Sequence, residues 1–126
     1  FAVQRMKGVN VTRNKFVRPS GFKLEDHFAG SFGVWAGDST RGEQYEVRIR
    51  FTGFAARIVS ERRWHPSQEI EELDKEGTID LTMKLTALED VARWVLGFGP
   101  QAEAIEPPEF RKMVAERLTN AAANYQ

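Results

Sequence analysis

Arg62-Arg63-Trp64-His65 is the one local run in this chain whose residue types could together do chemistry. Two guanidiniums offer forked contacts to a phosphate or carboxylate, an indole offers a stacking face, and an imidazole adds charge below its pKa. Neighbouring residues on a helix point roughly 100° apart. Both arginines therefore reach one ligand only if the helix has unwound before Pro66, or if another segment supplies the second contact. A second reading is structural: Trp64 plugs the end of a core, while the arginines face water or pair with Glu69, Glu71 and Glu72. Arg5 is the other candidate. It lies on the alternating stretch FAVQRM beside Phe1 and Val3, either as a surface residue or as part of an anion pocket.

Other chemistries find little support. His27 and His65 have no helical or hairpin spacing to a second ligand, and there is no cysteine, so no metal site is expected. Neither Ser60 nor Ser67 sits in a G-x-S-x-G elbow. Gly97-Phe98-Gly99-Pro100 follows a helical pattern instead of joining a strand to a helix start, which makes it a helix stop and not a phosphate loop. An acyl-phosphate hydrolase needs an arginine and an amide around its phosphate, yet no asparagine lies between Asn14 and Asn120. The expectation is a non-catalytic protein with no cofactor.

Charge and length set further limits. Eighteen basic and eighteen acidic residues cancel, so net charge gives no argument for nucleic-acid binding. The distribution is uneven: residues 1–63 carry +6 and residues 64–126 carry −6. No stretch approaches the roughly 20 apolar residues of a membrane span, and the lack of cysteine fits a reducing compartment. A soluble, cytoplasmic protein is expected.

The elements that must position the cluster follow from periodicity. Tyr45, Val47, Ile49 and Phe51 alternate with Glu46, Arg48 and Arg50, the pattern of a half-buried strand. After Thr52-Gly53, the residues Phe54, Ala55, Ile58 and Val59 share a helical face. Gln68–Leu73 reads as an acidic edge strand, and Asp74-Lys75-Glu76-Gly77 as a tight turn. Ile79, Leu81, Met83 and Leu85 then mark a strand with one core face and one wet face. Thr86 and Glu89 match a capping box for a helix that buries Leu88, Val91, Ala92 and Val95. Gln101–Glu106 is a fourth strand. Pro107-Pro108 starts a last helix carrying Phe110, Met113 or Val114, Leu118, Ala121 and Tyr125 along one side.

This order specifies an α+β, ferredoxin-like split βαββαβ sandwich with an extra C-terminal helix. Its open face carries Arg48, Arg50, Asp80, Thr82 and Lys84, with Glu103 on the flank, and lacks the aromatic platforms of an RNA-recognition sheet. Ahead of it lies a strand-and-helix arm. FAVQRM is its strand, and Leu24, Phe28 and Phe32 mark a helix closed at Gly33. AGDSTRGEQ, from Ala36 to Gln44, is the link, with the domain boundary between residues 43 and 44. The abrupt first strand predicts a piece of a longer protein; without the sheet it belongs to, this strand must fray, pair with another copy or add to another edge, and a homodimer whose arm packs on or swaps into the other copy is expected.

The run RFTGFAARIVSERRWHPSQEIEEL, then GTIDLTMKL, LEDVARWVLGFGPQAEAIEP and PEFRKMVAERL, resembles the C-terminal extension, called WCX, of the WYL-domain transcriptional regulators. FAVQRMKGV, Phe16, Pro19, Phe22-Lys23-Leu24 and SFGVWAG resemble the last strand of a WYL domain and the helix joining it to the extension. The resemblance implies a bacterial homodimeric regulator that binds DNA through an N-terminal helix-turn-helix missing from this chain. Arg5 falls on the Gln-Arg-Met that matches the family's final strand, and is the one ligand-binding basic residue of that domain that carries over. Residues 1–43 become the WYL remnant and connecting helix, and 44–126 the WCX domain. A nucleotide or nucleic-acid effector is the expected ligand, bound by Arg5, Arg62, Arg63 and His65. The alternative is a free-standing ferredoxin-like domain that binds a small molecule.

Overall fold

The computed structural model describes residues 3–33 and 43–126. The Ala36–Gln44 link, apart from Glu43 and Gln44, lies outside the described residues, as do Phe1 and Trp35.

Strand β1, Tyr45–Phe51, forms as its alternation predicts, with Val47, Ile49 and Phe51 fully buried. It pairs antiparallel with β3, Ile79–Leu85, from Tyr45 opposite Leu85 to Phe51 opposite Ile79. The edges are β2, Glu69–Glu72, beside β3, and β4, Ala102–Glu106, beside β1. The resulting order, β2-β3-β1-β4, is compatible with the ferredoxin-like arrangement. Helices α2, Gly53–Ser60, and α3, Glu89–Leu96, contribute Ala55, Ala56, Val59, Val91, Ala92 and Val95 to the same core as the sheet. Among the described residues no helix is long and apolar enough to cross a membrane.

Several expectations change once tertiary contacts compete. The described part of FAVQRM is not a strand: Val3–Arg5 forms a 3-10 turn in which the Met6 N–H donates to the Val3 carbonyl at 3.1 Å. A strand without a partner leaves its backbone groups unpaired, and a local turn satisfies one of them. The arm helix α1, Leu24–Phe28, stops after five residues, well short of Phe32. Gly33 has a positive φ of 113°, but five residues beyond that helix. In α2 the buried face is Ala55, Ala56 and Val59. Phe54 is 65% exposed because it starts the first turn, where the chain enters from Gly53 at φ +53°. Gln101 fixes that entry: its side-chain carbonyl accepts the Ala55 N–H at 3.1 Å, and its backbone carbonyl accepts the Thr52 N–H at 3.0 Å.

Asp80, expected on the wet face, is only 4% exposed. Its cross-strand neighbour Arg50 reaches over it and donates two hydrogen bonds, at 2.9 and 3.0 Å. That hydrogen bonding and the Asp80 charge hold the Arg50 guanidinium above its ordinary pKa. At the β2–β3 turn, Gly77 takes φ +85° and the Asp74 carboxylate accepts the Thr78 N–H at 2.9 Å. Thr78 N–H and hydroxyl contacts lower the Asp74 pKa.

The last helix, α4, Pro108–Ala123, is anchored by Phe110 and Val114, with Met113 half-buried. Leu118 and Tyr125 do not continue the buried side; they are 48% and 92% exposed. A sixteen-residue helix spans about 24 Å, whereas the five-residue β4 beneath it spans about 17 Å. The final turns therefore overhang. Arg111 ties α4 to β4 through Glu103 at 2.8 Å and the Ala104 carbonyl at 2.9 Å, and Arg117 ties it to Glu89 on α3.

Replacing Phe110 with alanine should lower unfolding free energy by about 3–5 kcal/mol, and Leu118→Ala by less than about 1 kcal/mol. Urea denaturation of both variants checks this. Equal losses would mean that the outer turns are packed.

Candidate functional site

Helix α2 ends at Ser60, so the chain has already left helical geometry where the cluster begins. Gln68 organises the loop that follows. Its side-chain carbonyl accepts the backbone N–H groups of both Trp64 and His65, the latter at 3.2 Å. Trp64 turns inward, donates from Nε1 to the Val59 carbonyl at 3.0 Å, and packs on Trp94 with ring centroids 4.8 Å apart.

The two arginines of this loop are exposed and differently engaged. The Arg62 guanidinium lies 3.9 Å over the Trp64 ring, a cation–π stack. Arg63 donates to the Pro66 carbonyl. Neither is paired with Glu69, Glu71 or Glu72 in the ion pairs of the described residues. Arg5 is exposed on its 3-10 turn, and no contact among the described residues brings it to Arg62 or Arg63.

His65 is the member that departs most from a ligand-binding role in this conformation. It is 5% exposed, and its Nδ1 accepts the Ser67 N–H at 3.1 Å and lies 2.7 Å from the Ser67 hydroxyl. The Ser67 hydroxyl also accepts the Lys84 N–H at 2.9 Å, which locks the loop to β3. Burial lowers the His65 pKa, the Ala29 carbonyl opposes this, and the positive charge of Arg63 adds to the lowering.

Ala29 belongs to the arm. The arm meets the domain at a seam beside this loop, in a contact that the sequence patterns did not indicate. Thr86, expected to cap α3, instead bonds the arm: its N–H and its hydroxyl both donate to the Gly30 carbonyl, at 2.9 and 3.2 Å. Leu88 takes the N-cap position of α3 without a side-chain hydrogen bond. Phe32 then packs on Trp94 at 4.9 Å. Trp94 also meets Phe51 at 5.3 Å and Phe98 at 5.2 Å, so five aromatic residues from five segments converge there. The signal for Trp94 was present, a large aromatic between Val91 and Val95 on a helix, but its partners are remote in sequence. Glycine is required at position 30, because a β-carbon there would sit 2.4 Å from Thr86 Cγ2.

The open sheet face is occupied by ion pairs: Arg50 with Asp80, and Arg48 with Glu106 at 3.0 Å. It presents no stacking platform.

The family model described as the WCX domain matches residues 43–122. This chain belongs to the WCX domain family. WCX is a domain of the WYL-family regulators; the cluster Arg62–His65, Trp94 and all of α4 but Ala123 lie within the matched residues, while Gly30 and Phe32 reach them from outside. No curated protein is similar enough to this chain to match it.

Gly30→Val should push the arm off the WCX domain. The expected outcome is loss of hydrogen-exchange protection at the Thr86 amide, with a change in global unfolding free energy below about 1 kcal/mol. A Thr86 amide as protected as in the wild type would place its partner elsewhere.

Proposed function

We propose that this chain is the regulatory C-terminal portion of a WYL-family transcriptional regulator in the bacterial cytoplasm, a non-catalytic region that responds to an effector and contacts a second subunit. The observation that carries this reading is the WCX match over residues 43–122. In this reading residues 1–43 are the end of a WYL domain and its connection, and DNA is bound by an upstream helix-turn-helix.

The effector is a phosphate-bearing or nucleic-acid-like anion. Arg62 supports this: stacked on Trp64, it presents a planar, pre-organised fork. The end of α2 at Ser60 also meets the condition for Arg62 and Arg63 to converge on one ligand. His65, only 5% exposed, acts behind this surface. Arg5 completes the anion site from a WYL domain, that of the same or of another subunit. Subunit contact is supported by the exposed apolar residues of the arm, Phe16, Phe22, Leu24 and Phe28, which a second copy would bury.

The alternative, a free-standing small-molecule-binding domain, would use the groove between β4 and α4, lined by Ala102, Ala104, Val114 and Leu118. That groove holds about 150 Å³, against the several hundred Å³ of ordinary ligand pockets.

In the full-length regulator, Arg62→Ala with Arg63→Ala should abolish effector-dependent operator binding at unchanged melting temperature. An intact response would leave the cluster a solvated loop. The present chain should bind duplex DNA no better than a neutral control at physiological salt. Sequence-specific binding tighter than about 1 μM in an anisotropy titration would place DNA recognition within these residues and overturn this part of the reading. Light scattering should give the mass of a dimer, and a strictly monomeric mass at high concentration would remove the subunit-contact role.

A further inference from the structure

We infer that the cleft between helix α2 and the β2–β3 turn binds a free amino acid, taking its carboxylate on Arg57 and its ammonium on Glu72 and Glu76. This inference does not depend on the regulatory reading above, and the cleft is separate from the Arg62–His65 cluster.

Strand register carries it. Residues opposite one another in a sheet share a face, and Ile70 and Glu72 stand opposite Leu81 and Ile79, both buried in the core. Glu72 is therefore a carboxylate on the helix side of the sheet, at a register position that the core pattern assigns to an apolar residue. Water reaches it at this exposed edge, but no side chain does. Among the described residues, no ion pair or hydrogen bond engages the side chains of Arg57, Glu72 or Glu76. All three nevertheless line one cleft of about 270 Å³, with Ala56, Ser60 and Ile79. Opposite charges that share a cleft without closing on each other leave room for a ligand that bridges them. A local rule broken in this way, with no compensating contact, is what a functional site looks like.

The lining selects the ligand by charge. Arg57 offers a forked donor matched to a carboxylate. The Ser60 hydroxyl gives its hydrogen to the Ala56 carbonyl at 2.8 Å, so its oxygen remains an acceptor for the cleft. With Glu72 and Glu76 it makes three acceptors, matching the three N–H donors of a primary ammonium. A phosphate would be repelled by the two carboxylates, and a simple amine would meet the guanidinium; a zwitterion meets neither conflict. No group of three or more metal-ligating side chains occurs among the described residues. Ala56 and Ile79 give the cleft an apolar floor for a short aliphatic side chain. Its volume is just below the roughly 300–1,000 Å³ of pockets for drug-sized ligands.

The test is an NMR titration of the whole chain, read at the backbone amides, with L-alanine, L-valine and L-leucine as probes. At least one should shift the amides of α2 and of residues 72–77 saturably, with a Kd below about 1 mM. Two analogues of the best binder should each bind at least about tenfold more weakly, the scale of one lost charged hydrogen bond. One is its amide, which lacks the carboxylate; the other is the deaminated acid, which lacks the ammonium. Arg57→Gln and Glu72→Gln should weaken binding as much while leaving amide shifts outside the cleft unchanged, because both side chains are exposed. No saturable shift with any of the three probes up to about 10 mM, equal binding of either analogue, or undiminished binding to either variant would overturn the site.

Discussion

The contact on which the most segments depend is the packing around Trp94. Helix α3 buries Val91, Ala92 and Val95 through ordinary helical periodicity, yet that stripe only orients the helix on the sheet. Trp94 lies beside the stripe and gathers Phe51 from β1, Trp64 from the loop after α2, Phe98 from the stop after α3, and Phe32 from the arm. Aromatic pairs contribute about 0.5–1.5 kcal/mol each beyond the area they bury. Their larger effect here is geometric. They determine where the Arg62–His65 loop leaves the core and where the arm lands.

Coupling between those two places follows from how close they are. The loop is held by Gln68 and by Ser67 against β3, and the arm by Thr86 at the end of that same strand. Trp94 lies between them, packed on Trp64 of the loop and on Phe32 of the arm. The two elements therefore share one tryptophan as a packing partner. No long chain of residues is needed to link them.

The sheet's two surfaces are specialised in different ways. The core face is apolar throughout β1 and β3, while the open face is crossed by paired charges that use up their own valences. The pair Arg50–Asp80 includes a carboxylate almost fully removed from water, so losing one partner would strand the other; Arg48–Glu106 is half-exposed and contributes much less. The free edge at β2 carries Glu69, Glu71 and Glu72, charges that discourage strand addition by another chain.

What the sequence by itself determined was everything that depends on local period: four strands, the inward faces of β1, β3 and α3, the glycine turn at Gly77, the proline start of α4 and the acidic edge strand. Two-residue and 3.6-residue periods survive folding because burial of one face dominates each element. Tertiary structure alone decided the positions where a side chain had two uses of similar strength. Thr86 could cap a helix or bond the arm, and a carbonyl 56 residues away took both of its donors. Asp80 could face water or Arg50, and register placed the guanidinium opposite it. Leu118 continued a helical stripe, but the strand beneath had already ended. His65 looked like part of an exposed cationic cluster until Gln68 and Ser67 folded its loop inward. Local pattern specifies which residues prefer burial; which polar atoms meet depends on chain closure over dozens of residues, and sequence spacing carries no record of that.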